Sequence, residues 1–273
     1  MSKIAKAVER AKRSREARFG VPEGPKTAFS TTGAGLSAQA PMYSDTRVIV
    51  PERHYLEAHR ILTLLDDSLA IDTYNILCTQ LLLKTRPNLS NAIMVTSCVE
   101  DEGKTLTAIN LAVSIARRVQ HTVLLVDVDL RKPSIHRYLG LDIDKGLAEH
   151  LSDNVPLAEL LVSPGLPRMS VLAAGKPVRG VTEILGSPRM EQLVQELKSR
   201  YSDRYVIFDT PPVLSVSDSF ALSSFMDGIL LVVEAGRTPR DEIRQAVELF
   251  QGKPLLGLIM NKCRYGSRKY YYQ

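Results

Sequence analysis

The chain has 273 residues, of which 44% are hydrophobic and 24% are charged, as is typical of a globular protein that can bury a full core. Its three cysteines show neither paired spacing nor the spacing of metal ligands, which predicts a reducing compartment and argues against a disulfide framework. No apolar run approaches the roughly 18 residues that a membrane-spanning helix needs, and no apolar segment of a secretory signal is present, so we expect a cytoplasmic protein.

Residues 1–50 are predicted to form a basic N-terminal arm followed by a flexible linker. Residues 1–26 contain eight Lys or Arg and three Glu, so this part carries the whole net charge of +5. Residues 1–19 favour a helix, whereas residues 20–44 are rich in Gly, Pro, Ser and Thr, which is typical of a linker. Such an arm could contact an anionic membrane or an acidic partner, and a solvated tail is the alternative.

Short apolar runs alternate with helical segments from residue 91 onwards, after a helical stretch at about 52–84 that is broken near 66–67. The runs are rich in β-branched residues and predict strands buried on both faces, at 92–97, 122–129, 169–175, 205–210, 228–235 and 255–261. The segments between them predict helices at 104–119, 133–139, 145–151, 156–162, 188–201, 217–225 and 239–251. This alternation predicts an α/β fold, a mostly parallel sheet with helices on both faces, whose ligands bind beyond the carboxyl ends of the strands.

The first apolar run leads into SCVEDEGKTLT, where Gly103, Lys104 and Thr105 open a helix directly after a strand. This context indicates a phosphate-binding loop, in which backbone N–H groups at the helix N-terminus bind anions. Lys104 would reach the β- and γ-phosphates of ATP, and the Thr105 hydroxyl would hold Mg²⁺. Cys98 stands where the usual pattern has its first glycine. The acidic stretch 100–102 either points outward while the backbone binds, or weakens the affinity for ATP.

Two other strands are followed by carboxylates, in VDVDLRKP and VIFDTPP. Asp127 and Asp129 are two residues apart on a strand and so share a face. One of them could position Mg²⁺ while the other accepts a proton, and the sequence leaves their roles open. Arg131 and Lys132 follow, where they can meet phosphate. Asp209, at the end of its strand, is predicted to be the Walker B carboxylate that orders water around Mg²⁺.

These elements together resemble the bacterial tyrosine kinases of polysaccharide export. The resemblance rests on the loop without its first glycine, the D-x-D-x-R run, the carboxylate before T-P-P, the stretch GKPVRGVTEILGS and the tyrosine-rich terminus YGSRKYYYQ. It covers roughly residues 50–273. It implies a P-loop NTPase-like kinase domain at 51–262 and a tail at 263–273. The implied function is ATP-dependent autophosphorylation of that tail, which regulates exopolysaccharide or capsule synthesis and export.

The resemblance also implies roles for individual residues. Catalysis would fall to Lys104, Asp127, Asp129 and Asp209. Mg²⁺ would be held by Thr105, Asp127, Asp129 and Asp209. ATP would be bound by Glu102, Gly103, Lys104, Thr105, Leu106, Arg131 and Asn261. The autophosphorylated residues would be Tyr265, Tyr270, Tyr271 and Tyr272. Asn261 would lie against the adenine, and a turn-capping role is its alternative.

The implied partners are a transmembrane chain-length-determinant protein, which would recruit and activate the kinase at the inner face of the cell membrane, and a second copy of the chain, phosphorylated in trans. The family often carries an oligomerisation helix with the pattern E-x-x-R-x-x-R. Asp72, Asn75 and Cys78 stand at those positions here, so both arginines are missing. A homo-oligomer would therefore use other contacts or be absent.

Two alternatives share the fold. A partitioning ATPase resembling MinD or ParA would carry a second lysine five residues before Lys104, where Val99 stands. A non-catalytic ATP-binding scaffold for polysaccharide machinery is compatible with the acidic loop and the missing arginines. Nucleic-acid binding is not expected, because the domain is neutral overall and its basic residues lie mostly at the ends.

Overall fold

The computed structural model describes residues 46–263, apart from residues 62, 66, 67, 89 and 119. The predicted helix of residues 1–19, the linker of residues 20–44 and the four terminal tyrosines lie outside the described residues. Within the described part, no helix is both long and apolar enough to cross a membrane.

An eight-stranded sheet forms the centre of the described chain, in the spatial order β1-β4-β5-β3-β6-β2-β7-β8. The strands are β1 (Arg47–Val48), β2 (Ala92–Ser97), β3 (Thr122–Asp127), β4 (Leu161–Ser163), β5 (Met169–Leu172), β6 (Arg204–Asp209), β7 (Gly228–Glu234) and β8 (Leu255–Asn261). Neighbouring strands are parallel, except that β4 and β5 are antiparallel. The mostly parallel sheet is confirmed. All six predicted strands are present, but β3 ends at Asp127 and β5 at Leu172, before the predicted ends at 129 and 175, so Asp129 lies beyond the strand and not on it.

Helices cover both faces of the sheet. They are α1 (Arg53–Ala58), α2 (Ser68–Thr85), α3 (Lys104–Ala116), α4 (Ile135–Tyr138), α5 (Leu147–Asp153), α6 (Leu157–Leu160), α7 (Val181–Leu185), α8 (Pro188–Ser199), α9 (Asp218–Leu222) and α10 (Arg240–Leu249). Helices α1–α4 contribute to one apolar core and α5–α10 to the other. Successive residues of β3 alternate between the two cores, as the period of a strand requires. Burial on both faces explains why the central strands are almost continuously apolar.

The predicted helix at 156–162 is wrong in its last two residues. Helix α6 ends at Leu160, and Leu161–Ser163 form β4, which pairs with β5. An apolar run this short has no periodicity that separates helix from strand, so the pairing with β5 decides its structure. The helical stretch predicted at 52–84 forms two helices, α1 and α2. The two-residue strand β1 and the helix α7 were not predicted.

Candidate active site

The sheet order brings the three sequence motifs to one place. Strand β6 lies between β3 and β2 at the centre of the sheet. Asp127 and Asp209 are register partners at the ends of β3 and β6. Helix α3 begins at Lys104, shortly after the end of β2. The predicted site therefore lies beyond the carboxyl ends of three adjacent strands, where parallel sheets bind ligands.

The loop before α3 depends on a glycine. Gly103 has a φ of 89°, in the left-handed region that favours glycine. A Cβ at this position would lie 2.1 Å from Asn261 Nδ2, and that same nitrogen donates a hydrogen bond to the Glu102 carbonyl across 2.8 Å. Gly103 offers no side-chain cap, so the first N–H groups of α3 are available to an anion. The structure thus places Asn261 against the phosphate-binding loop.

The acidic residues of this loop divide into two groups. Glu102 is buried and turned inward, where its carboxylate accepts hydrogen bonds from the Val99 N–H, at 2.9 Å, and from the Thr238 hydroxyl. Its role is to hold the loop's shape. Glu100 and Asp101 line the cleft instead, and Glu100 forms an ion pair with Lys132 across 2.7 Å.

Lys104 is surrounded by carboxylates. Its Nζ lies 3.2 Å from Asp129 Oδ2 and 3.8 Å from Asp209 Oδ1. Burial opposes the positive charge, but the neighbouring carboxylates of Asp209, Asp129 and Asp127 outweigh it and raise the pKa of Lys104 above its ordinary value. The amine is therefore a fixed cation at the base of the cleft.

Thr105 and Asp209 form a candidate magnesium site. The Thr105 hydroxyl donates to Asp209 Oδ2 across 2.6 Å. Within the described chain, the buried Asp209 Oδ1 has no hydrogen-bond partner. Burial raises the pKa of Asp209, against the opposing effects of Lys104 and Thr105. A carboxylate oxygen that accepts no hydrogen bond and lies beside a hydroxyl suits Mg²⁺, which is usually bound through one or two carboxylates together with substrate phosphates.

Asp127 is already engaged by the backbone. Its Oδ2 accepts hydrogen bonds from the N–H groups of Ser134 and Ile135, both at 2.9 Å, and its Oδ1 accepts one from the Asp129 N–H at 3.2 Å. Burial and the nearby charge of Asp209 raise the pKa of Asp127 to about 7. This carboxylate fixes the start of α4 at the site.

The carboxylates do not form an all-protein metal cage. Among the residues that the structure describes, no group of three or more His, Cys, Asp or Glu side chains is arranged to hold a metal. Asp129 pairs with Lys104, and Asp127 with backbone amides. Of the four residues predicted to hold Mg²⁺, the geometry favours the pair Thr105 and Asp209.

Four of the seven residues predicted to bind ATP do not line the cleft, namely Glu102, Leu106, Arg131 and Asn261. Arg131 forms a two-pronged ion pair with Asp218, at 2.6 Å from Nε and 3.1 Å from Nη2. Asp218 is fully buried at the start of α9 and also accepts a hydrogen bond from the Thr182 hydroxyl at 2.5 Å. Leu106 packs against the core beneath α3. Neither Arg131 nor Leu106 lines the cleft around the loop.

The cleft contains residues that sequence reasoning missed. Ser134, Arg137 and Tyr138 line it together with the loop and Asp129. A signal was present: the helix predicted at 133–139 starts directly after the D-x-D-x-R run, so its first turn had to lie at the same edge of the sheet.

Similarity to known proteins defines the class of the chain. Residues 93–251 match the family described as AAA domain, which makes the chain a P-loop nucleotide-binding protein. The chain is 34% identical to the tyrosine-protein kinase YwqD of Bacillus subtilis over 196 residues, which cover 71% of this chain and 81% of YwqD. It is 33% identical to the tyrosine-protein kinase CpsD of Streptococcus agalactiae over 173 residues, 62% of this chain and 74% of CpsD. The chain belongs to the bacterial tyrosine-protein kinases.

A solved structure agrees with this assignment. The kinase domain of the Escherichia coli tyrosine kinase ETK superposes with a TM-score of 0.68 at 28% identity, covering 75% of this chain and 81% of that domain. The resemblance inferred from the sequence and the predicted fold class are thereby confirmed.

Proposed function

We propose that this tyrosine kinase uses ATP and Mg²⁺ to phosphorylate its own C-terminal residues Tyr265, Tyr270, Tyr271 and Tyr272. The observation that carries the proposal is the convergence of Lys104, Thr105, Asp129 and Asp209, which hydrogen bonds and ion pairs connect into one cluster. The cluster combines a phosphate-binding cation, a hydroxyl and carboxylates at one end of the cleft. Phosphoryl transfer needs little more than such positioning and charge stabilisation.

Phosphate binding falls to the start of α3 and to Lys104. The uncapped N–H groups of the helix favour the β-phosphate, and the Lys104 amine neutralises charge on the phosphoryl group as it transfers. Thr105 and Asp209 would hold Mg²⁺, which neutralises charge on the β- and γ-phosphate oxygens. Asn261 keeps the loop closed through the Glu102 carbonyl.

Asp129 is assigned as the base that accepts the tyrosine proton. It lines the cleft, whereas Asp127 is fully buried and bonded to three backbone N–H groups. Asp127 is therefore assigned as the residue that positions α4. In the transfer, the phenol oxygen forms a bond to the γ-phosphorus and the bond from that phosphorus to ADP breaks. The electron pair of that bond leaves with ADP, and the phenol proton moves to Asp129.

Lys262, the residue directly before the tail, lies beside the phosphate-binding loop. Lys262 donates from Nζ to the Asp101 carbonyl at 2.5 Å and to Glu234 Oε2 at 2.9 Å. Lys262 and Asp101 both have positive φ, 53° and 64°, so the contact joins two unusual backbone positions. This arrangement supports a tail that starts near an active site. Transfer between two copies of the chain would then bring the tail of one to the cleft of the other.

The cellular part of the proposal rests on the family resemblance. The kinase would regulate exopolysaccharide or capsule synthesis and export from the inner face of the cell membrane. A transmembrane chain-length-determinant protein would activate it there. The basic arm, whose charge lies in residues 1–26, is a candidate contact for the anionic membrane or for this partner.

Phosphopeptide mass spectrometry tests the proposal. Purified chain is incubated with ATP and Mg²⁺, beside the variants Lys104→Met and Asp129→Asn. Phosphotyrosine on the four terminal positions in the wild type, and its loss in both variants, is the expected result. ATP binding or hydrolysis without phosphotyrosine, even with a candidate activator added, would instead favour the scaffold or the partitioning-type ATPase.

A further inference from the structure

Among the described residues that line the nucleotide cleft, one cation has no carboxylate partner. Lys104, Lys132 and Arg137 line the cleft. Lys104 is held by carboxylates, and Lys132 is paired with Glu100. The Arg137 side chain is exposed, and within the described part of the chain its guanidinium makes no hydrogen bond and no ion pair. A free guanidinium at the mouth of a phosphate site is a ready partner for an anion.

The backbone that carries Arg137 is fixed to the catalytic centre. The N–H groups of Ser134 and Ile135 are bonded to Asp127, and Ser134 Oγ lies 3.4 Å from Thr105 Oγ1. The Tyr138 N–H donates to the Ser134 carbonyl at 3.0 Å, which closes a helical turn. Residues three apart share a face of such a turn, so the face that brings Ser134 to Thr105 also brings Arg137 to the cleft.

The far side of the turn is anchored as well. The Tyr138 ring lies 4.7 Å from the His59 ring of the segment after α1. Ile135 and Leu139 are buried in the core. Gly140 packs so closely on Tyr55 that a Cβ there would lie 2.4 Å from its ring. The turn is thus held from both sides, and the exposed Arg137 side chain extends from a fixed backbone.

The carboxylates around Lys104 favour a second cationic side chain at the cleft to stabilise the transferring phosphoryl group. The Lys104 amine faces both Asp129 and Asp209, so these carboxylates reduce the positive charge that it can offer to a phosphoryl group. In the transition state, negative charge spreads over the equatorial oxygens of the phosphoryl group. An arginine that binds these oxygens raises kcat by roughly 10³–10⁵-fold in other P-loop enzymes. Arg137 is the unpaired candidate at this cleft among the described residues.

We propose that Arg137 is a further catalytic residue, whose guanidinium binds the non-bridging oxygens of the γ-phosphoryl group of ATP during transfer. This inference rests on the proposed function and adds to it. The bond from the tyrosine oxygen to the phosphorus forms and the bond to ADP breaks as described above, while Arg137 stabilises the charge on the group that moves. Because ADP lacks this group, Arg137 contributes to the binding of ATP but not of ADP.

The test compares Arg137→Ala and Arg137→Lys with Arg47→Ala, a control that removes an exposed arginine from the edge strand β1. Affinities for ADP and for a non-hydrolysable ATP analogue are measured by calorimetry with Mg²⁺, and autophosphorylation is followed in parallel. For Arg137→Ala we expect unchanged ADP affinity, weaker analogue binding and a kcat lowered by roughly 10³-fold or more. Arg137→Lys should recover part of both losses, because a lysine keeps the charge but not the two-pronged geometry.

Two results would overturn the assignment: equal weakening of ADP and analogue binding, which indicates a general electrostatic effect, or wild-type kcat and analogue affinity in Arg137→Ala. The binding comparison needs no transfer to occur. If the wild type forms no phosphotyrosine, the proposed kinase function fails, whereas the ratio of analogue to ADP affinity still decides whether Arg137 binds the γ-phosphoryl group.

Discussion

The Thr105 hydroxyl donates to Asp209 Oδ2 across 2.6 Å, and this bond joins the start of α3 to the end of β6. The bond connects the phosphate-binding loop to the carboxylate on the neighbouring strand. It orients one oxygen of Asp209 and leaves the other, Oδ1, without a hydrogen-bond partner in the described chain. A bound Mg²⁺ would use the same pair of side chains, so the protein alone already holds its candidate ligands in place.

Removing this hydroxyl should impair stability and nucleotide binding together. In Thr105→Val, Asp209 loses the hydrogen bond to Oδ2 and stays buried, which should lower the free energy of unfolding by about 1–3 kcal/mol. The affinity for ATP should also lose its dependence on Mg²⁺. Urea denaturation and calorimetry with and without Mg²⁺ measure both effects. Thr105→Ser keeps the hydroxyl and should resemble the wild type. A Thr105→Val protein that matches the wild type in both assays would refute the role of the hydrogen bond between Thr105 and Asp209.

A methyl group at position 103 should disrupt the loop for two separable reasons. Gly103→Ala forces an alanine into a left-handed backbone, at a cost of about 1–2 kcal/mol, and its Cβ collides with Asn261. ATP affinity and thermal stability should both fall. Adding Asn261→Ala should relieve the collision but not the backbone strain, so the double variant should recover only part of the stability. Full recovery, or no loss in Gly103→Ala, would contradict this packing.

Arg131 is expected to act on stability before it acts on ATP. Arg131→Ala leaves the buried Asp218 without its ionic partner, and because the arginine is 46% exposed we expect a loss of about 1–3 kcal/mol rather than the larger cost of a fully buried pair. In a protein that already carries Asp218→Asn, Arg131→Ala should lower the free energy of unfolding by less. Chemical denaturation of the four proteins completes the cycle. If the two losses of unfolding free energy add, and Arg131→Ala lowers the affinity for ATP, Arg131 would be assigned to the nucleotide as the sequence alone suggested.

The stability of the nucleotide-free protein should depend on pH through Asp127. Its pKa is raised from 3.8 to about 7 in the folded state, so folding favours the protonated form. The contribution of this group is fully present below about pH 4 and is lost as the pH rises through about 7. Relative to Asp127→Asn, the wild type should therefore lose unfolding free energy between these pH values, on the order of a few kcal/mol.

Unfolding curves at several pH values, without nucleotide or Mg²⁺, measure this difference. Asp241→Asn, at a side chain that is 88% exposed, is the matched control and should follow the wild type. Parallel curves for the wild type and Asp127→Asn would contradict the raised pKa of Asp127.

The sequence predicts those parts of the site that local patterns encode. Lys104, Thr105 and Asp209 follow apolar runs that are recognisable strands, so their convergence follows from parallel-sheet geometry alone. Arg131 shows what the pattern does not contain. Its position after Asp129 predicted a phosphate contact, yet its side chain reaches Asp218, 87 residues further on. That partner depends on how α9 packs, which no local pattern encodes.

Arg137 and β4 show the same limit. Arg137 is one of many charged residues in the sequence. It becomes distinctive only in the structure, where Lys104 and Lys132 are paired with carboxylates and Arg137 has no such partner among the described residues. Strand β4 is three residues long and is defined by its antiparallel pairing with β5. Both features arise from contacts between distant segments, whereas the strands and the phosphate-binding loop arise from short, continuous patterns.

The most direct test of the central claim mixes two variants, neither of which is able to phosphorylate its own tail. One protein carries Lys104→Met with its four terminal tyrosines intact, and the other has a wild-type cleft but Phe at positions 265, 270, 271 and 272. The mixture is incubated with ATP and Mg²⁺, with a candidate membrane activator in a parallel sample, and each chain is analysed by phosphopeptide mass spectrometry. Phosphate on the tail of the Lys104→Met chain, present in the mixture and absent when that chain is alone, is the predicted result. A Lys104→Met tail that stays unmodified in the mixture, both with and without the activator, would contradict the account.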